Sequence, residues 1–328
     1  MTDTSSVRLN IDEPRWDQNT FMGRMKHFMS ITDMRTVLCS TSELENAKKL
    51  VNSYRLGQEP LGTTEEQLWR AKQLYESSFH PDSGELQNVI GRMSFQVPGG
   101  MAITGCMMQF YRTNTAVIFW QWINQSFNAL VNYTNRNAES DMTPKRIAIA
   151  YVTATTSAVL TAIGLKNVLA KRASPLMQRF VPFAAVAAAN CVNIPLMRQS
   201  EIEDGIMCAD ENRNKAVQSQ VAAAKGITLV LASRIFMAAP GMLLCPIMME
   251  RLEKTRWMQR IKLLHAPIQV MMVGCILVVM VPTACSLFPQ WNSISTETLK
   301  KWEPKKYSDL QDKYHDNMPS TIYFNKGL

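Results

Sequence analysis

Two stretches limit what this chain can fold into. Residues 147 to 165 run for nineteen positions without a charge and are rich in Ala and Thr, and residues 266 to 288 run for twenty-three. A helix rises about 1.5 Å per residue, so about 20 apolar residues cross the hydrocarbon core of a bilayer. Such helices are apolar on every side and leave no face for water, which argues against core helices of a large soluble protein. Three further segments reach a similar length. They are about 101 to 123, interrupted by Gln109, Arg112 and Asn114; about 176 to 197, with Arg179 near one end; and 227 to 249, with Arg234 inside. The expected fold class is an all-α membrane protein of about five transmembrane helices with an N-terminal soluble helical domain. A mid-membrane Arg costs on the order of 3 kcal/mol, so Arg112 is expected to face protein or a wet cavity.

The slightly negative mean hydropathy hides this pattern, because the apolar residues crowd into the middle and C-terminal parts. The net charge of +8 comes from basic residues interleaved with acids. No dense Lys/Arg run with aromatics appears, so no nucleic-acid partner is expected. The seven cysteines are scattered singly, which points to free thiols and away from a disulfide framework or a CxxC metal site. His27, His80, His265 and His315 are far apart, so neither metal nor cofactor is expected. There is no nucleophile and base pair, phosphate loop or metal motif, so an enzyme is the least expected class.

Residues 1 to 100 read as a domain of short helices. Ser42 with Glu45 forms a capping-box pattern opening a helix that Gly57 closes, and Thr63 with Glu66 opens a second; the two are expected to pack as a hairpin around Pro60. HPDSGE at 80 to 85 reads as a tight turn. The first 30 residues lack a secretory h-region, and Asp3, Asp12, Glu13 and Asp17 spoil a cleavable mitochondrial presequence. The loop between the second and third spans carries Lys166, Lys171 and Arg172 without an acid, and that between the fourth and fifth carries five basic residues against two acids. The positive-inside rule puts both inside. Five spans then place residues 1–100 inside and the tail, 289–328, outside.

Residues 120 to 137, WQWINQSFNALVNYTNRN, form an amphipathic pattern with an uncharged polar face. At 100° per residue Gln121, Asn124, Gln125, Asn128, Asn132 and Asn135 share one stripe. Side-chain amides offer donors and acceptors without full charge. They suit a wall facing a small polar solute, or hydrogen-bonded glue between membrane helices.

Several long motifs then occur in order: RWDQNTFMGR at 15–24, HPDSGE at 80–85, IGRMSFQVP at 90–98, ITGCMMQFYRT at 103–113, the amide stretch, RFVPFAAVAAANCVNIPLMRQSE at 179–201, MAAPGM at 237–242 and a terminal YFNKGL. Together these closely resemble the sideroflexins, nearly end to end, and look most like the branch containing sideroflexins one and three. The resemblance implies a multi-pass mitochondrial inner-membrane protein with its N-terminus in the matrix and its C-terminus in the intermembrane space. It also implies transport of serine, with alanine, glycine and cysteine proposed as well, to feed one-carbon metabolism. Two local departures stand out. VPGGM at 97–101 has a Gly pair where bulkier residues are usual, which is expected to loosen the start of the first span. DENRNK at 210–215 has Arg213 where a DENGN turn is usual.

A zwitterionic amino acid needs partners for both ends. Arg112 or Arg198 is expected to take the carboxylate, Asn190, Asn193 or Gln199 the ammonium, and Asn128 or Gln125 a hydroxyl, with Gln121 and Asn124 also near the route. From the first span's end near Ile123, the amide helix is expected to reach an outer vestibule or to fold back over the bundle. The expected partners are the small neutral amino acid and the lipid bilayer, with a homo-oligomer or other inner-membrane proteins left open. The competing reading is a structural or assembly factor acting on iron handling or respiratory complexes.

Overall fold

The structure, a computed structural model, describes residues 8–81, 83–135, 144–172 and 174–327. Near the N-terminus lie α1 (Phe21–Ile31), α2 (Thr41–Arg55) and α3 (Glu65–Ser78). The bundle follows with α4 (Gln96–Phe110), α5 (Asn114–Thr134), α6 (Pro144–Arg172), the short α7 (Pro175–Gln178) and α8 (Val181–Met197). After α9 (Gln199–Asp204), β1 (Ile206–Ala209) and β2 (Lys215–Ser219) come α10 (Gln220–Glu253), α11 (Arg256–Arg260) and α12 (His265–Ser286). The tail holds β3 (Trp291–Ser295), α13 (Thr296–Trp302), α14 (Pro304–Tyr314) and β4 (Thr321–Asn325).

In the N-terminal region α2 packs on α3 around Leu44, Val51, Leu68 and Phe79. The helix starts differ slightly from expectation: the capping boxes are Ser40 with Glu43 and Thr64 with Gln67. In each case the helix begins one or two residues earlier or later than the expected Ser/Thr–Glu pair would place it, because the competing hydroxyl has the extended backbone that a cap needs. Gly57 does close α2, at φ +74°, and the turn at 80–85 forms with the Gly84 N–H donating to the His80 carbonyl at 2.9 Å. Asp82 of that turn lies outside the described residues.

Among the described residues, four helical segments are long and apolar enough to cross a membrane: Ala148–Val168, Leu176–Met197, Gln220–Glu253 and Lys262–Ser286. Large apolar side chains such as Ile149, Val152, Leu160, Leu244, Met271 and Val279 are exposed along them, as lipid-facing surfaces require. These match the second to fifth expected spans. The first does not hold as a single span. The helix stops at Phe110, Tyr111–Thr113 turn, and Thr113 then caps α5 by accepting from the Ala116 N–H.

The two pieces fold back on each other as an antiparallel hairpin. Asn88 Nδ2 donates to Thr134 Oγ1 at 3.1 Å, Asn135 Nδ2 donates to the Gly91 carbonyl at 2.8 Å, and Phe95 packs near Phe127. A Cβ on Gly99 would sit 2.7 Å from the Phe127 ring, so Gly99 permits a tight approach of α4 and α5, while its neighbour Gly100 faces Leu277 of α12; a loosened start was expected there. Gly105 does the same against α12: a Cβ there would lie 2.7 Å from the Val270 Cα.

The consequence is a revised arrangement of the ends. Lys166 Nζ donates to the Arg112 carbonyl and to Asn114 Oδ1 at 3.1 Å, so the hairpin tip lies level with the end of α6. Arg179 pairs with Glu253 at 2.8 Å at that same end of the bundle. At the opposite end Arg24 Nε donates to the Ser286 carbonyl at 2.9 Å, which ties α1 to the last turn of α12. The tail therefore starts beside the N-terminal helices, whereas an odd span count had put the two on opposite sides. The acid-poor loops lie at the end away from both.

The helical fold also carries a small antiparallel sheet that the all-α expectation did not contain, in the order β2-β1-β4-β3. It joins the loop after α9 to the terminal strand, over a core of Cys208, Val217, Ile294, Leu310, Ile322 and Phe324. Glu303 from the tail accepts from the Ser219 hydroxyl at 2.5 Å and from the Gln220 N–H at 2.9 Å, placing a carboxylate at the N-terminus of α10. Arg213 sits at φ +63°, the left-handed conformation that the glycine of the usual DENGN turn would adopt without strain.

With an even number of long apolar helices, epitope tags fused to the two ends of the chain should behave alike in sealed vesicles. Added protease is expected to remove both or neither, read by immunoblot; removal of one alone would contradict the arrangement.

Candidate functional site

The amide stripe of α5 is turned into the bundle. Gln121 is fully buried, and Asn124 and Gln125 nearly so; Asn128 and Asn132 are half-buried further along. Trp122, Phe119 and Leu130 on the other face are exposed. Hydrocarbon offers amides nothing to bond with, so the polar face takes the protein side.

The stripe is not uniform. Gln121 Nε2 donates to Tyr111 Oη at 2.8 Å, and its Oε1 has no partner among the described residues. The Asn124 Nδ2 is likewise buried and unpartnered. Asn132 Oδ1 accepts from Arg234 Nη2 of α10 at 3.3 Å, and Asn135 is bonded to the carbonyls of Gly91 and Val131 and to Gln87. Both ends therefore act as inter-element glue. Between them, the amides of Asn124, Gln125 and Asn128 make no such tie among the described residues, and buried polar atoms without a partner are rare enough to need an explanation.

On α8, Asn190 and Asn193 are buried, one and two turns past Val186. Val186 clusters with Met107 and Met242, and Tyr111 packs on the same group, so Gln121 and the α8 asparagines border one interior region. The other expected residues do not join it. Arg112 is exposed at the hairpin tip. Arg198 is held at the opposite end by Glu201, at 2.9 Å from Nε, and by the Lys326 carbonyl at 2.8 Å. Gln199 is exposed and donates to Glu203 at 2.6 Å. Of the two courses expected for the amide helix, an outer vestibule or a fold back over the bundle, α5 takes one that runs back along α4 toward the N-terminal helices. Tyr111, Ser233 and Arg234 were not among the expected site residues. For Arg234 the signal was present, since it is a charge inside an otherwise apolar span. Tyr111 is recognisable only once the chain turns at that point.

Among the described residues there is no grouping of His, Cys, Asp and Glu suited to a metal ion. Among the described residues, four long apolar helices, a broken helical hairpin beside them and a polar interior rich in amides define a multi-pass helical membrane protein. The family of sideroflexins matches residues 10–328, and the chain belongs to that family. It is 60% identical to Sideroflexin-2 of Bos taurus over 319 residues, covering 97% of this chain and 98% of that protein, and equally identical to Sideroflexin-2 of Homo sapiens. Sideroflexin-1 of Sus scrofa is 55% identical over 322 residues, covering 98% of each. The higher identity to the Sideroflexin-2 proteins revises the leaning toward the branch of sideroflexins one and three. No solved structure matches the chain.

If the Tyr111–Gln121 bond holds the hairpin tip, Tyr111→Phe leaves a buried amide donor facing only the Met107 sulfur. The expected loss is about 1–3 kcal/mol, read as a lower thermal midpoint in detergent. Tyr111→Phe with Gln121→Leu should recover much of it, because neither polar group then remains. An unchanged midpoint in the single variant would count against the bond.

Proposed function

We propose that this protein is a mitochondrial inner-membrane carrier of a small neutral amino acid, serine foremost, with alanine, glycine and cysteine as further substrates, supplying one-carbon metabolism. The observation that carries this reading is a pair of buried amide groups in the stripe, one on Gln121 and one on Asn124, that have no partner among the described residues. Gln121 Oε1 and Asn124 Nδ2 are an acceptor and a donor held in the bundle interior without a protein partner, on a face that also carries Gln125 and Asn128. Amides serving only as glue would pair, because an unpaired buried amide costs about 1–3 kcal/mol. A passing solute with a hydroxyl, an ammonium and a carboxylate can meet such groups in turn. The resemblance of the motifs to a family of amino-acid carriers points the same way.

Substrate flux decides between this reading and an assembly role. Purified protein in liposomes is expected to take up labelled serine, and a Gln125→Ala, Asn128→Ala double variant should lower apparent affinity about 10- to 100-fold. Unchanged serine flux in the double variant would remove the stripe from the route. No flux in the unaltered protein, together with recovery of a stable protein partner, would favour the assembly role.

A further inference from the structure

The carrier reading leaves the substrate carboxylate without a cation, since Arg112 is exposed at the hairpin tip and Arg198 is paired with Glu201. Arg234 is the charge that α10 carries inside its apolar span, and the membrane makes its placement costly. No carboxylate lies within ion-pair distance of it among the described residues; its hydrogen bond is to Asn132 Oδ1 at 3.3 Å, long for a charged donor. A guanidinium has five N–H donors, and a single long contact leaves most of them available.

Helix register supplies its other neighbours. Ile194 of α8 clusters with Val230 of α10, and Val186 of α8 shares a cluster with Ala238 and Met242. The positions midway between these contacts, at i+4 on each helix, are Asn190 and Arg234, so the register sets the two at the same level of the α8–α10 interface. Ser233, adjacent to Arg234, has a buried hydroxyl without a partner. Asn132 approaches from α5, so three helices meet around one guanidinium.

From this convergence we infer that Arg234, with Asn132 and Asn190 beside it, forms a binding site for the carboxylate of a small amino acid; the inference rests on the carrier reading above. The guanidinium takes the two carboxylate oxygens in parallel, and the amides of Asn132 and Asn190 donate from the sides. Asn128 lies one turn away on α5, about 6 Å, within reach of the substrate's ammonium or hydroxyl. Gln121, eleven residues from Asn132 and so about 16 Å away, is beyond the reach of the same bound serine and forms a second station deeper in the bundle. In the free protein Asn132 holds the guanidinium, and an arriving carboxylate replaces it.

The test is serine uptake by proteoliposomes of unaltered protein, Arg234→Gln and Asn132→Asp. Asn132→Asp supplies a fixed carboxylate to the guanidinium and so competes with substrate without removing a side chain from the bundle. Both variants are expected to raise the KM for serine about 10- to 100-fold. Excess ethanolamine, which lacks the carboxylate, is expected to compete poorly with serine in the unaltered protein. A variant KM equal to that of the unaltered protein, with serine flux intact, would overturn the site and leave the carrier reading standing. No serine flux in the unaltered protein would overturn the carrier reading, and the site with it. Phenylglyoxal labelling of the unaltered protein gives a readout independent of variant folding. Serine should slow modification of Arg234, located by mass spectrometry, and ethanolamine should not; equal rates with and without serine would overturn the site.

Discussion

A bilayer gives side-chain amides no hydrogen bonds, and that constraint organises the central part of this protein. The α5 helix carries amides on one face and Trp122, Phe119 and Leu130 on the other. It can lie beside apolar helices only if its polar face is turned inward. The turn at Tyr111–Thr113 makes this possible, because it separates α4 from α5 and lets α5 return along α4 with Gln121 bonded to Tyr111. Gly99 and Gly105 then allow close approach to Phe127 and Val270. Without the turn, α4 would continue outward and the amides past Gln121 would have no bundle to face.

The same turn sets where the terminal segments lie. Because α4 and α5 fold back together, α12 ends beside α1, and the tail is drawn to the N-terminal end of the bundle. There Arg24 donates to the last carbonyl of α12, and Arg198 donates to the Lys326 carbonyl, while the Lys326 side chain is itself almost wholly buried. Burial pushes the Lys326 ammonium below its ordinary pKa; the neighbouring Cys285 opposes that shift, and Arg198 and Arg24 add to it. Cations beside the C-terminal ends of α8 and α12 are favoured by the helix dipoles. The terminal YFNKGL thus serves as a strand and anchor, with Tyr323 and Phe324 in β4 and Lys326 behind it.

Much of this was legible in the chain. Uncharged runs at 147–165 and 266–288 admit one physical solution, and the periodicity of α5 identified its buried face correctly. The break in the first span was harder to read. Gln109, Arg112 and Asn114 marked a weak point, but a polar interruption alone does not distinguish a wet span from a turn, and the distinction depends on tertiary packing against α12. The sheet escaped because β1 pairs with the terminal strand β4, which is far away in sequence, and four- or five-residue segments carry little periodic signal. Arg198 looked free in sequence because Glu201 and the distant Lys326 carbonyl claim it only in three dimensions.

The buried amide face depends on the α4–α5 hairpin. Spin labels at Ile90 and Leu130, both partly exposed, flank the hairpin's open end, where Asn88 meets Thr134. Their separation by pulsed electron resonance in lipid nanodiscs is the direct test. The hairpin predicts a distance under about 20 Å, set by two packed helices and the label tethers. A continuous helix through Tyr111–Thr113 would put the labels roughly 60 Å apart, and a distance of that order would contradict the fold and the buried amide face that follows from it.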